Sequence, residues 1–384
     1  MRVFDRIDIK ALNGIDWSFR DADTSYLTHG IHRYSGKYIP QMARILIETL
    51  TEPGGLVIDP FVGSGTTLVE AMLLGRRSIG VDLSPIACLV AKAKTTRIPA
   101  KHLDTAIMQH LESVRSHIHA NNGQLSLLHS IELNPDLGID STLRKWFQPS
   151  VLRELKIIKP RIDEIVDPQI KTVCEVAFSD ILRQRSNASG RYPNVMFDRH
   201  APNKEGAYKQ YQRRLTQISE AVKSLDRRDT DNDAIPKVLL GDARILPLAD
   251  QCADAIVTHP PYIGSVPYAE YQALSLMWHG TDPRHLDGEL IGGRRQSRDV
   301  VERFLAGMRL VILEIRRVLK KQGMVGVVIG NPTVKGELIR LNEIMRDLFV
   351  EARFECLGEI EREKLNMRAN KMSSEFVQFF SVSH

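Results

Sequence analysis

Apolar residues in this chain follow two rhythms, and the switch between them divides it. Up to about residue 100, and again from 236, short continuous apolar runs alternate with stretches of helical spacing. Val57-Ile58 closes on Asp59, followed by Gly63, Gly65 and helical spacing over 66–74. Ser78-Ile79-Gly80-Val81 closes on Asp82, and Val238-Leu239-Leu240-Gly241 closes on Asp242. Ala253-Asp254-Ala255-Ile256-Val257 runs into Thr258-His259-Pro260-Pro261-Tyr262. Later come helical spacing over 301–320, a buried run over 323–331 and helical spacing over 337–349. A strand-to-loop segment over 357–367 and an alternating strand over 375–382 form a last hairpin. Buried runs separated by helices predict an α/β fold with a mostly parallel sheet. A helix over 40–50 starts at Pro40, as helix starts often do, and Trp17 and Phe19 dock the polar lead-in 1–28.

Between 101 and 235 the strand rhythm vanishes. Helical stretches fall around 102–120, 141–158, 162–185 and 204–226, broken at Asn121-Asn122-Gly123, Pro160, Pro168 and Ser186-Asn187-Ala188-Ser189-Gly190. A segment this long without strands is expected to be a folded, mostly helical insertion rather than a loop. The α/β body then comprises 1–100 and 236–384.

The glycine turn after the first strand carries the first chemistry. A phosphate-binding loop of the Gly-Lys-Ser/Thr kind needs a lysine, and Gly63-Ser64-Gly65-Thr66-Thr67 has none. Asp59 would also repel a phosphate, whereas an ammonium group suits it, and the methionyl end of S-adenosylmethionine carries one. Glycines at 63 and 65 let the backbone come close to such a ligand, and the helix that follows offers its first amides to a carboxylate. Asp82, about twenty residues beyond the glycines, stands where a carboxylate grips ribose hydroxyls. Asp242 is placed to accept from an adenine amino group.

With these strand ends in view, the chain resembles the amino-group DNA methyltransferases, which modify N4 of cytosine or N6 of adenine and carry an Asp/Asn/Ser-Pro-Pro-Tyr tetrapeptide. The likeness covers roughly residues 29–95 and 236–384. The segment His32-Arg33-Tyr34-Ser35-Gly36-Lys37-Tyr38-Ile39-Pro40-Gln41 is similar to the family motif that closes over the methionine part of the cofactor. The resemblance implies a Rossmann-like class I methyltransferase sheet with an antiparallel last strand. It implies S-adenosylmethionine held by Tyr34, Lys37, Asp59, Phe61, Gly63, Gly65, Thr66, Thr67, Asp82, Leu83, Asp242 and Ala243. It also implies base flipping, double-stranded DNA as partner and a cognate restriction endonuclease as companion, with no metal.

An exocyclic amine is a poor nucleophile because its lone pair is delocalised into the ring, so the site must accept hydrogen bonds from it. The resemblance gives that role to His259 and the Pro260 carbonyl, has Pro261 stiffen the loop and stacks Tyr262 on the extruded base. His259 departs from the usual Asp, Asn or Ser. A neutral imidazole accepts a hydrogen bond and a protonated one does not, so activity is expected to fall toward the ordinary histidine pKa of about 6.5. Thr258 and the continuation Ile263-Gly264-Ser265-Val266-Pro267-Tyr268 are similar to cytosine-N4 enzymes. Cytosine N4 is therefore favoured over adenine N6, with an RNA amino-group methyltransferase and a catalytically silent nucleic-acid-binding protein as alternatives.

Composition adds little beyond consistency. The 384 residues carry a net charge of +5, and the pI of 8.9 is a basic excess compatible with nucleic acid. Cys88, Cys174, Cys252 and Cys356 are too scattered for a zinc or redox motif and are expected to be reduced fillers. No run approaches about 18 apolar residues and the start has no secretory pattern, so a cytoplasmic protein without membrane contact is expected. Candidate phosphate contacts are Lys209, Arg213 and Arg214 beside Tyr208 and Tyr211 in the insertion, and Arg294, Arg295 and Arg298 after the tetrapeptide. The insertion is the candidate target-recognition region.

Overall fold

The computed structural model describes residues 9–122, 139–191, 194–226, 234–264, 266–292, 299–363 and 374–383. Its strands are β1 (Leu56–Asp59), β2 (Arg77–Asp82), β3 (Lys237–Leu240), β4 (Ala253–Thr258), β5 (Leu319–Gly330), β6 (Thr333–Val334), β7 (Glu337–Leu338), β8 (Phe354–Glu363) and β9 (Ser374–Val382). Seven of them form one sheet in the order β3-β2-β1-β4-β5-β9-β8. The first five are mutually parallel, and β9 lies antiparallel between β5 and β8.

This order fixes where chemistry can occur. The chain builds outward from β1 through β2 to β3 and then returns to start β4 on the other side of β1, so the direction of winding reverses between β1 and β4. In such sheets ligands bind beyond the carboxyl ends of the strands at that reversal. Because β1 to β4 are parallel, Asp59, Asp82, Asp242 and His259 come to one edge although 200 residues separate the first from the last.

The sheet is covered on both faces, which is why β4 is buried over nearly all its length and β5 from Gly323 onward. On one face Val311, Ile315 and Phe349, from helices Val300–Val318 and Leu341–Glu351, pack on Val325 and Phe380. On the other, Leu46 and Ile47 of helix Pro40–Leu50 pack on Val328 and Phe379. Leu46 and Phe379 are completely buried, each worth roughly 1.5–3 kcal/mol relative to exposure. Trp17 is buried in the same layer and its indole N–H donates to the Leu12 carbonyl at 2.9 Å, so the polar lead-in docks.

Helices Ala100–Asn122, Pro149–Asp163, Pro168–Arg185 and Tyr208–Asp226 enclose another core containing Leu155, Ile158, Phe178, Tyr211 and Leu215. That core also takes in Ile31, Leu274 and Trp278 from the body. The Trp278 ring lies edge-on to Phe178 at 5.2 Å and Phe147 at 6.2 Å.

Several boundaries differ from the periodicity. The helical stretch expected over 141–158 is two helices, Ile139–Trp146 and Pro149–Asp163, parted at Pro149 rather than at Pro160. Pro149 starts the second helix, while Pro160 lies in its last turn, where one missing backbone hydrogen bond disturbs little. The helix expected from 337 begins at Leu341, because Lys335 and Gly336 take positive φ (51° and 92°) and fold β6 onto β7 as a small hairpin. β5 starts at Leu319, four residues before the expected 323, and β8 starts at Phe354 rather than 357. The segment after the tetrapeptide contains the short helices Tyr268–Tyr271, Ala273–Trp278 and Pro283–Glu289.

Candidate active site

A cleft spanning about 810 Å³ of space, part of it open solvent, lies at the reversal point between β1 and β4. Its floor is the glycine turn. Gly65 takes φ +81°, and a Cβ there would sit 2.9 Å from the Ala91 Cα, so both dihedral and space demand glycine. Gly63 also takes positive φ, and its open side faces the Tyr34 ring, 3.4 Å from where a Cβ would stand. One carboxylate organises this floor. Asp82 accepts from the Gly63 N–H at 2.9 Å through one oxygen and from the Ser84 N–H at 2.9 Å through the other, while still lining the cleft. Burial pushes its carboxyl up to about 6, against the pull of the amides of Ser84, Gly63 and Leu83.

Asp242, just beyond β3, also lines the cleft and is gripped by Arg244, whose Nη2 lies 2.6 Å from it. Burial pushes Asp242 up, but the side chain and amide of Arg244 outweigh it and hold the carboxyl below its ordinary value. Tyr34, Lys37, Phe61, Thr66, Leu83 and Ala243 line the same space, as do His259 and Pro261. The Lys37 ammonium donates to the His29 carbonyl at 2.9 Å.

Asp59 occupies a different place from the one expected. It is 2% exposed and stands behind the cleft wall, accepting from Thr67 Oγ1 at 2.5 Å, Thr258 Oγ1 at 2.7 Å and the Phe61 N–H at 3.0 Å. With the Thr67 proton given to Asp59, the Thr67 oxygen accepts from the Tyr38 hydroxyl at 2.6 Å. Burial pushes Asp59, too, up to about 6. Gly65 and Thr67 likewise support the wall rather than line the cleft.

At the mouth, the Tyr38 ring stacks on the His259 imidazole with centroids 5.3 Å apart and planes 17° apart. His259 Nε2 lies 2.5 Å from the Tyr262 hydroxyl, which donates to Glu375 at 3.1 Å. Tyr262 is 6% exposed and stands edge-on to His259, outside the residues that line the cleft, so in this conformation its face is covered rather than open to a stacked base. Pro260 is also outside the lining.

The expected phosphate contacts divide. Lys209 and Arg213 are exposed on helix Tyr208–Asp226, and Arg213 borders a polar groove that shares Tyr34 and Lys37 with the cleft. Arg214 is committed internally, 2.6 Å from Asp180 and 2.9 Å from the Ile31 carbonyl. Arg294, Arg295 and Arg298 lie outside the described residues. Tyr38, Tyr268, Leu290 and Ile291 line the cleft without having been singled out as ligands by the sequence, and Glu375 reaches the mouth from β9. The one signal for Glu375 was a charge at the start of the run Phe376-Val377-Gln378-Phe379-Phe380.

The cleft fits an adenosyl amino acid. It carries Asp82 and Asp242, suited to ribose and base, and an apolar strip at Phe61, Leu83 and Ile291. A ligand whose hydroxyls bond Asp82 favours its ionised form. S-adenosylmethionine affinity is therefore expected to be level above about pH 7 and to fall by up to tenfold per unit below about pH 6. Calorimetric titration across that range checks this, and a flat profile would remove Asp82 from the binding set.

A sheet in this order, with an antiparallel strand set between the fifth parallel strand and the edge and this cleft at its reversal point, is the Rossmann-like class I methyltransferase fold. A family model described as DNA methylase matches residues 17–93. The Type II methyltransferase M.MvaI of Kocuria varians is 27% identical over 93% of this chain and 88% of its own length. The Type II methyltransferase M.MjaII of Methanocaldococcus jannaschii is 22% identical over 92% of this chain and 80% of its own. A solved S-adenosylmethionine-dependent methyltransferase from Methanosarcina mazei is 11% identical, covering 88% of this chain and 98% of its own, at a TM-score of 0.36, too loose a superposition to carry weight. The matched sequences support an amino-group DNA methyltransferase family for this chain.

Proposed function

We propose that this chain methylates the exocyclic amino group of a base flipped out of double-stranded DNA, cytosine N4 in the first instance. The observation that carries the reading is His259, which follows β4, lines the cleft beside Asp82 and Asp242, and is held flat by Tyr38. S-adenosylmethionine bound in the cleft supplies an electrophilic methyl carbon with a neutral thioether as leaving group. The residues of the chain prepare the amine. His259 and the Pro260 carbonyl accept its hydrogens, which localises the nitrogen lone pair toward the methyl donor. Tyr34 and Lys37 close the methionyl side, and Asp82 and Asp242 hold the ribose and adenine.

The preference for cytosine is supported by Thr258 ahead of the tetrapeptide and by the residues after Tyr262. Flipping the base has an unfavourable free energy of roughly a few kcal/mol, which contacts to the strand must offset. Arg213 on the groove beside the cleft and the exposed Lys209 on the same helix are suited to that, and they support the helical insertion as the region that meets DNA.

The test is to incubate the purified protein with S-adenosylmethionine and unmethylated DNA, with RNA in parallel, and identify methylated nucleosides by mass spectrometry. N4-methylcytosine in DNA is expected. N6-methyladenine would transfer the reading to adenine, product in RNA alone would change the substrate, and no product despite cofactor binding would leave a silent binding protein.

A further inference from the structure

We propose that Arg33 and Arg183 together form a phosphate-binding site for the DNA strand that leads into the cleft. This rests on the proposed methylation of a flipped base and deepens it, because it names where the strand is held beside that base. Two adjoining hollows share Arg33, Tyr34, Asp180 and Gln184 and so form one furrow. Its walls come from three parts of the chain: the segment before helix Pro40–Leu50, helices Pro168–Arg185 and Tyr208–Asp226 of the insertion, and helix Tyr268–Tyr271 after the tetrapeptide. Tyr34 and Tyr268 line both the furrow and the cofactor cleft, so a strand lying in the furrow reaches the cleft past these two rings.

Charge decides what the furrow takes. Among the described residues that line it, Asp180 is the one carboxylate, and it stands 2.6 Å from Arg214. Arg33, Arg183 and Arg213 leave the lining basic, and the exposed Arg213 carries the furrow outward along helix Tyr208–Asp226. A basic groove of this kind tracks a nucleic-acid backbone. Arg33 is exposed, while Arg183 donates to the carbonyls of Ser189 and Asn194 at 3.3 Å each, which fixes the guanidinium without neutralising it. Burial and then the nearby charge of Arg33 hold Arg183 below its ordinary value. Two like charges set side by side repel, and a phosphate between them turns that repulsion into two charge-assisted contacts. The Tyr271 phenol feels both guanidiniums and adds a hydroxyl donor at the same place. Arg33 also adjoins Tyr34, whose ring lies against the Gly63 turn, so a strand held by Arg33 steadies one wall of the cofactor cleft.

Fluorescence anisotropy with a labelled, unmethylated DNA duplex of mixed sequence, in saturating S-adenosylhomocysteine so that nothing turns over, measures binding across a range of salt. Arg33→Ala is expected to weaken binding roughly tenfold and to lower the slope of log Kd against log salt by about 0.9, the loss of one phosphate contact. Arg183→Ala should do the same, and Arg33→Lys should keep the slope. DNA is expected to tighten S-adenosylhomocysteine roughly fivefold in the wild type and to leave it unchanged in Arg33→Ala, read by calorimetry. Lys321, exposed near the start of β5 at the opposite edge of the sheet, supplies the control Lys321→Ala. An unchanged slope in Arg33→Ala, an equal loss in Lys321→Ala, or a preference for single-stranded RNA over DNA overturns the proposal. Should Arg183→Ala not fold, the exposed Arg33 decides alone. Binding needs no turnover, so a chain that passes this test yet methylates no DNA refutes the methylation reading alone. One that methylates DNA while binding it equally well in Arg33→Ala refutes the phosphate site alone.

Discussion

His259→Ala is expected to slow methyl transfer by roughly 10²-fold or more while leaving S-adenosylmethionine affinity within about twofold. The asymmetry follows from position. His259 stands at the cleft mouth after β4, whereas the floor is organised by Asp82 and the glycines. Removing the imidazole takes away an acceptor that matters as the amine gains positive charge, an interaction stronger in the transition state than in the bound substrate. His259→Asn, which restores a side chain usual at this position in the resembled family, is expected to recover most of the loss. Single-turnover methylation measured alongside cofactor titration separates the two quantities. A single-turnover rate within about twofold of wild type in the alanine variant would leave the Pro260 carbonyl as the working acceptor.

The largest effect on binding is expected from Asp82→Ala, which should weaken S-adenosylmethionine by more than roughly 100-fold, about 2.7 kcal/mol. A hydrogen bond to a charged acceptor is worth roughly 1.5–3 kcal/mol, and Asp82 supports the turn with two of them in addition to its place in the cleft lining. Alanine would therefore remove the proposed ribose partner and unfasten Gly63 and Ser84 together. Asp82→Asn keeps an acceptor for one amide and should fall between. Isothermal titration gives the affinity, and circular dichroism establishes that the fold persists. A change of less than about fivefold in Asp82→Ala would mean that the ribose is held elsewhere.

The sheet and its acid-bearing strand ends were legible because each strand is an apolar run closing on Asp59, Asp82 or Asp242, a pattern that needs no distant partner. The histidine was legible because Pro260 and Pro261 mark its turn. What escaped depends on pairing across long stretches of chain. Glu375 meets Tyr262 across 113 residues, and Tyr38 meets His259 only after helix Pro40–Leu50 has docked. The place of Asp59 escaped for another reason. Sequence shows that an acid ends β1, but whether it faces the ligand or the wall depends on Thr67 and Thr258 closing on it first. The short helices between Tyr268 and Glu289 have two or fewer turns each, too little periodicity to register against Pro267 and Pro283.

The position of β9 has a consequence for how the molecule is born. It follows β8 in the chain yet lies inside the sheet, joining β8 to β5. A ribosome therefore delivers β8 before the strand it must pair with exists, and the edge of β5 stays open to water until β9 arrives. The cleft draws its lining from residues 34 to 291, whereas the contact between Tyr262 and Glu375 at its mouth waits for β9. Closing the sheet thus waits for the threading of an interior strand, a slow non-local step.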